Sequence, residues 1–286
     1  MVIAISGSGG FIGKNLHAFF TAEGYEVRGI PRISKATGNA ELVSLLSGTD
    51  VVINLAGAPI IGRWSKAYKQ ELYDSRVITT GKIVEAINSM GKKPGLLVSA
   101  SAVGIYAREG THTETNFRLA NDYLGDICKA WETEAEKVIP GTRVAIARFG
   151  IVLGKQGGAM AQMLPLFKLG LGGKIASGKQ GFSWIHISDV VNAVNFIIGN
   201  KSLSGVFNFT APGITDNSSY TGLLAKVLKR PAFFTVPAFA LRILFGEGSI
   251  AVAGGQFAPP NHLLAAGYRF RFPDLEGALT DITAAG

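Results

Sequence analysis

Val2-Ile3-Ala4-Ile5-Ser6-Gly7-Ser8-Gly9-Gly10-Phe11-Ile12-Gly13 runs from an apolar, strand-like stretch straight into glycines spaced GxxGxxG. In a dinucleotide-binding turn each glycine has a separate role. Gly7 permits the tight turn, Gly10 lets backbone approach a pyrophosphate, and Gly13 lets the following helix pack closely on the strand. The helix start at Phe11 and Ile12, with its unpaired N–H groups and positive dipole end, then favours the anion. Glycine is abundant, 37 of 286 residues, so the triplet alone also reads as a plain turn. The strand before it and the helix-compatible Asn15-Leu16-His17-Ala18-Phe19-Phe20 after it favour the dinucleotide reading.

Working outward, short β-rich runs at 2–6, 25–30, 51–55, 96–99, 144–149 and 206–210 alternate with helix-compatible stretches at 11–23, 41–47, 65–90 and 119–138. This alternation predicts an α/β fold, a Rossmann-type doubly wound parallel sheet. The connection 32–50 is too short for a full strand and helix, so one sheet element there is expected to be reduced or absent. Beyond Gly154 the chain becomes glycine-rich and loop-like, and from Pro231 a helix over 237–244 leads into a proline-containing tail. The expected division is a nucleotide-binding domain over 1–160, to which 182–210 returns, and a smaller substrate-binding and cap region over most of 161–286.

A hydrophobic content of 47% supports a large core, and the single cysteine, Cys128, excludes an internal disulfide framework and a cysteine-based zinc cluster. The four histidines are scattered without metal-ligand spacing, so no metal is expected. The formal charge of +8 comes from dispersed Lys and Arg rather than a basic tract, which fits a cleft for an anionic cofactor or substrate better than nucleic acid. The apolar start has no basic leader, and its glycines arrive before a membrane-spanning length. The expectation is a cytoplasmic protein with a small-molecule substrate, no nucleic-acid or membrane partner, and a composition compatible with a homo-oligomer.

The second strand ends Val27-Arg28-Gly29-Ile30-Pro31-Arg32, without the carboxylate that would bind NAD ribose hydroxyls. Arg32 is placed to meet a 2′-phosphate, which favours NADP (NADPH) over NAD; the alternative is a solvated surface arginine.

These motifs resemble the extended short-chain dehydrogenase/reductases of the NAD-dependent epimerase/dehydratase family. The glycine loop, Asn54-Leu55-Ala56-Gly57, Ser99-Ala100-Ser101 and Ile185-His186-Ile187-Ser188-Asp189-Val190 all have counterparts there. The resemblance is closer to an atypical epimerase branch with its own C-terminal domain, through Arg63-Trp64, Asp74-Ser75-Arg76, Ser183-Trp184-Ile185-His186 and Pro237-Ala238-Phe239-Ala240-Leu241-Arg242. The wider group works with a tyrosine and a lysine four residues later, but no YxxxK occurs in this chain. Anchored on Trp131-Glu132, the expected pair falls at Leu124 and Cys128.

The resemblance implies an NADP(H)-binding, epimerase- or reductase-like protein acting on a small hydroxylated or carbonyl substrate. The alternative, motivated by the missing pair, is a non-catalytic cofactor sensor. Asn54, Leu55, Ala56 and Gly57 would lie against the adenosine half, with Ser99 on the neighbouring strand. Glu71 would reach ribose or amide groups and Arg76 a phosphate, unless both belong to a solvated helix face. Ser101 would hydrogen-bond a substrate oxygen, or close its strand through a backbone bond. Tyr106 and Tyr123 are candidate proton donors, with packing as the other reading of each. Arg148, Lys179, Gln180 and Trp184 are candidate substrate contacts, although Trp184 would equally anchor the cap. His186 and Asp189 read as structural, with Asp189 a helix N-cap.

Overall fold

The computed structural model describes residues 1–155 and 157–284. Its first half alternates regularly: β1 (Val2–Ser6), α1 (Phe11–Ala22), β2 (Glu26–Ile30), α2 (Asn39–Leu46), β3 (Val51–Asn54), α3 (Lys66–Tyr73), a π-helical turn (Asp74–Ile78), α4 (Thr79–Ser89), β4 (Leu96–Ala102), α5 (Tyr123–Ala135) and β5 (Arg143–Phe149). The second half holds shorter pieces: β6 (Ile151–Leu153), α6 (Gly158–Lys168), β7 (Gly173–Ile175), β8 (Gly181–Phe182), β9 (Trp184–His186), α7 (Ile187–Gly199), β10 (Gly205–Phe209), β11 (Thr215–Asp216), α8 (Asn217–Leu228), β12 (Phe234–Val236), α9 (Ala238–Phe245), α10 (Ile250–Ala253), α11 (Asn261–Ala265) and α12 (Leu275–Thr283).

Six strands form one parallel sheet in the order β10-β5-β4-β3-β1-β2. The strand order reverses between β1 and β3, the kind of switch point where a crevice opens at the carboxyl ends of the strands. Both faces are covered, which is why the strands read as continuous apolar runs. Ile3, Ile5, Val98 and Ala145 pack on one side with α1 and α7, whereas Ala4, Val52 and Leu97 pack on the other with α2 and α4. A separate core of Trp184, Phe182, Tyr220, Met160 and Phe167 joins α6, α8 and α12.

All six sheet strands lie where the apolar runs placed them, and α2 alone occupies the short 32–50 connection, with no strand. Three details differ. The helix expected from residue 119 begins at Tyr123, because Asp122 accepts hydrogen bonds from the Leu124 and Gly125 N–H groups and sets the start there. The stretch 65–90 is helical throughout but widens to a π turn at Asp74–Ile78. Asp189 is not the cap of α7: His186 is, accepting from the Ser188 N–H. Asp189 is instead fully buried and accepts from the Arg271 and Phe272 N–H groups at 2.7 and 2.9 Å, pinning the C-terminal segment to the sheet layer.

Candidate functional site

A cavity of about 690 Å³ lies along the carboxyl ends of β1, β3, β4 and β5. Its floor is the glycine turn, where backbone approaches backbone. Gly7 has φ +78°, and a Cβ there would lie 2.9 Å from the Leu55 carbonyl carbon. A Cβ on Gly13 would lie 2.3 Å from the Gly7 oxygen, so only glycine lets α1 sit this close to the turn. Gly10 caps α1 without a side-chain acceptor, which leaves the first-turn N–H groups to whatever occupies the cavity. Gly7, Gly10, Phe11, Ile12 and Gly13 all line it.

On the next side, Leu55 and Gly57 reach the wall, but Asn54 turns away. Asn54 is fully buried and donates to Thr80 Oγ1 at 2.7 Å, and the same oxygen accepts from the Trp131 indole N–H. Ala56 and Ser99 are also absent from the wall, and the Ser99 hydroxyl is buried without a partner among the described residues. Arg76 is the cation of this wall. The π turn projects it inward, a common use of such turns at functional sites. It donates to the Ala58 and Leu72 carbonyls at 2.9 and 3.3 Å and lies over the Trp131 ring. No carboxylate pairs with it among the described residues, and burial pushes its pKa down. Gly57 makes the room, since a Cβ there would lie 3.1 Å from the guanidinium carbon.

Arg32 and Glu71, expected on separate parts of a cofactor, pair with each other at 3.0 Å on the exposed rim, and Lys35 pairs with Asp74 beside them. A surface pair of this kind is weak and exchangeable.

The opposite wall carries Ser101 together with Leu124 and Cys128. The positions where the resemblance expects tyrosine and lysine face the cavity with a methyl-tipped side chain and a thiol. Burial pushes that thiol up to about 12, so it stays protonated at neutral pH. Ser101 donates its proton to Glu132 Oε1 at 2.5 Å. Glu132, which had been assigned no role from sequence, is held by Arg148 through Nε and Nη2 at 2.8 and 2.7 Å. Arg148 Nη1 then donates to the Tyr106 oxygen, and Tyr106 donates to Asn208 Oδ1 at 2.6 Å.

Several candidates therefore move. Arg148 is a buried ion-pair partner rather than a substrate contact. Tyr106 is fully buried off the cavity, with burial raising its pKa to about 12, and is not carried forward as a proton donor. Tyr123 also lies off the wall, donating to the Lys69 carbonyl, with burial again raising its pKa. Trp184 is core, its indole N–H donating to the Gly213 carbonyl. Lys179 is exposed and away from the wall, whereas Gln180 lines it and donates to the Ile175 carbonyl. Gln162, Arg108 and Gln256 also reach the wall. They carry no local motif: Gln162 is brought there by α6, Arg108 by the β4–α5 connection and Gln256 by the C-terminal segment.

The sheet, the crevice and the glycine floor define a dinucleotide-binding α/β protein. Residues 3–209 match the NAD dependent epimerase/dehydratase family, and residues 236–282 match a C-terminal domain of unknown function. The chain belongs to the NAD-dependent epimerase/dehydratase family. It is 38% identical to the chloroplastic epimerase family protein SDR39U1 homolog of Arabidopsis thaliana, over 99% of this chain and 86% of that one. It is 35% identical to epimerase family protein YfhF of Bacillus subtilis, over 99% and 98% of the two chains. The crystal structure of human epimerase family protein SDR39U1 with NADPH superposes with a TM-score of 0.93 at 33% identity, covering 99% of both chains.

Proposed function

We propose that this chain binds NADP(H) along the cavity and interconverts a small hydroxylated substrate and its carbonyl counterpart, as a reductase or epimerase, with a Ser101–Glu132 relay in place of tyrosine and lysine. The carrying observation is that one cavity joins a floor no side chain can replace, at Gly7 and Gly13, to the Ser101 hydroxyl.

The residues fit the cofactor. The α1 N-terminus and the unpaired Arg76 would hold the pyrophosphate. Leu55 and Gly57 would flank the adenosine half. Arg32 would exchange Glu71 for a 2′-phosphate, leaving Glu71 for a ribose hydroxyl, and NADPH bound to the human relative supports this choice. The nicotinamide supplies or accepts the hydride.

The relay follows from one proton. Because Ser101 gives its hydrogen to Glu132, its oxygen presents lone pairs to the cavity and accepts from a substrate hydroxyl. Ser101 Oγ would take the substrate's hydroxyl proton as its own proton passes to Glu132 Oε1, while a bound nicotinamide would take up the hydride. The reverse path reduces the carbonyl. Gln180 would orient the remainder of the substrate.

Titration with NADPH and NADH, followed by a panel of alcohols and carbonyls, tests the reading. NADPH should bind more tightly, and Ser101→Ala should lower turnover by about 10²–10⁴-fold. A second reading, a cofactor-sensing protein without turnover, is favoured by Leu124 and Cys128 on the wall. Tight NADPH binding with no turnover across the panel would select it, and absence of NADPH binding would remove both.

A further inference from the structure

The apolar surface is concentrated in one place. In the turn that ends α6, Leu166, Leu169 and Leu171 are exposed, Leu169 by 72%. Phe233 and Phe234, at the start of β12, are exposed by 90% and 56%. Phe239, Ile243 and Leu244 project from α9, while Leu241 is buried and Phe245 faces the cavity. The first two segments adjoin, and α9 follows β12 directly in the chain. β12 pairs with β7 in the register Phe234↔Gly173, and a Cβ on Gly170 would lie 3.5 Å from the Pro231 ring.

The charged side chains on these segments are basic. No Asp or Glu occurs between residues 150 and 188 or between 217 and 246, whereas Lys168, Lys174, Lys229, Arg230 and Arg242 do. Of the acids that flank these segments, Asp216 caps α8 by accepting from the Ser219 N–H, Glu276 pairs with Lys226 and Glu247 with Lys69.

We propose that the face built from α6, the β7–β12 pair and α9 docks peripherally on an anionic lipid bilayer. Phenylalanine and leucine enter the headgroup boundary, while the lysines and arginines beside them contact lipid phosphates. The exposures decide against a groove for a peptide, since groove walls would be half-buried. The basic excess on these segments argues against a second copy of this chain, because an isologous contact would bring like charges together. Among the described residues no helix is long and apolar enough to cross a membrane, so the contact is superficial. The expectation of no membrane partner rested on spanning segments alone and does not reach this case. The same elements give Met163, Ile175 and Phe245 to the cavity wall, so docking would set that wall beside the lipid surface.

Co-sedimentation with vesicles tests the proposal without any substrate. The full chain should partition about 10-fold more onto vesicles containing phosphatidylglycerol than onto phosphatidylcholine alone, and salt should reduce the difference. Phe233→Ser combined with Phe239→Ser should remove about 10-fold of that binding. Both residues are solvent-exposed, so the melting temperature should hold, which separates lost docking from lost folding. Equal pelleting on both vesicle types, or none, overturns the proposal. A dimer in sedimentation velocity that the double variant dissociates would assign the face to a second copy. Retention on immobilised polyglutamate without pelleting would assign it to an acidic protein.

Discussion

The two halves of the cavity are built in different materials. On the cofactor half, the turn at Gly7–Gly13, recognition is written in backbone: missing Cβ atoms, a positive φ and helix N–H groups. On the half where we propose the reaction, at β4 and α5, it is written in side chains that depend on distant partners, Ser101 on Glu132 and Glu132 on Arg148. A backbone device tolerates nothing larger than hydrogen, whereas a side-chain network can be re-assigned. That difference would let Leu124 and Cys128 stand on the wall where the resemblance expects an acid–base pair while the glycine floor stays intact.

The comparison breaks most visibly at Glu132. Glu132→Ala leaves the buried Arg148 without its carboxylate and should cost about 3–5 kcal/mol in denaturant unfolding. A cost below 1 kcal/mol would mean that the network does not hold this half together. On the other half, Gly13→Ala forces a Cβ onto the Gly7 oxygen. It should cost toward the upper end of about 1–3 kcal/mol and abolish NADPH binding. Arg76→Gln should separate affinity from folding, lowering NADPH affinity by about 10–100-fold through loss of a charge-assisted contact worth about 1.5–3 kcal/mol. Its signature is a weaker Kd without a matching fall in melting temperature.

Cys128 sharpens the contrast by pH. Its thiol titrates near 12 in the folded chain but near its ordinary value, about 8.5, when unfolded. Between those values the unfolded state binds fewer protons, so stability falls as pH rises, by up to about 1.4 kcal/mol per pH unit. Cys128→Ala should flatten that alkaline loss, and the native thiol should resist iodoacetamide until the protein is denatured.

The same contrast set what could be read from sequence. The six sheet strands and the glycine turn were legible because their signals are local: apolar runs and residues within one turn of each other. The π turn that aims Arg76 into the cavity has no sequence mark. Tyr106 and Arg148 were misplaced because a strand's end says nothing about which way its side chains are drawn. In this fold Glu132, 16 residues before Arg148, draws the arginine inward. Asp189 looked like a helix cap, and only the C-terminal segment 82 residues later reveals its actual partners.

Hydrogen–deuterium exchange with and without NADPH tests the central claim most directly, because it locates the ligand without needing a substrate. The account predicts protection at residues 7–13 and around Gly57 and Arg76, weaker with NADH, and no cofactor-dependent change at Tyr106. Protection elsewhere, with the glycine turn exchanging as in the free protein, would contradict it.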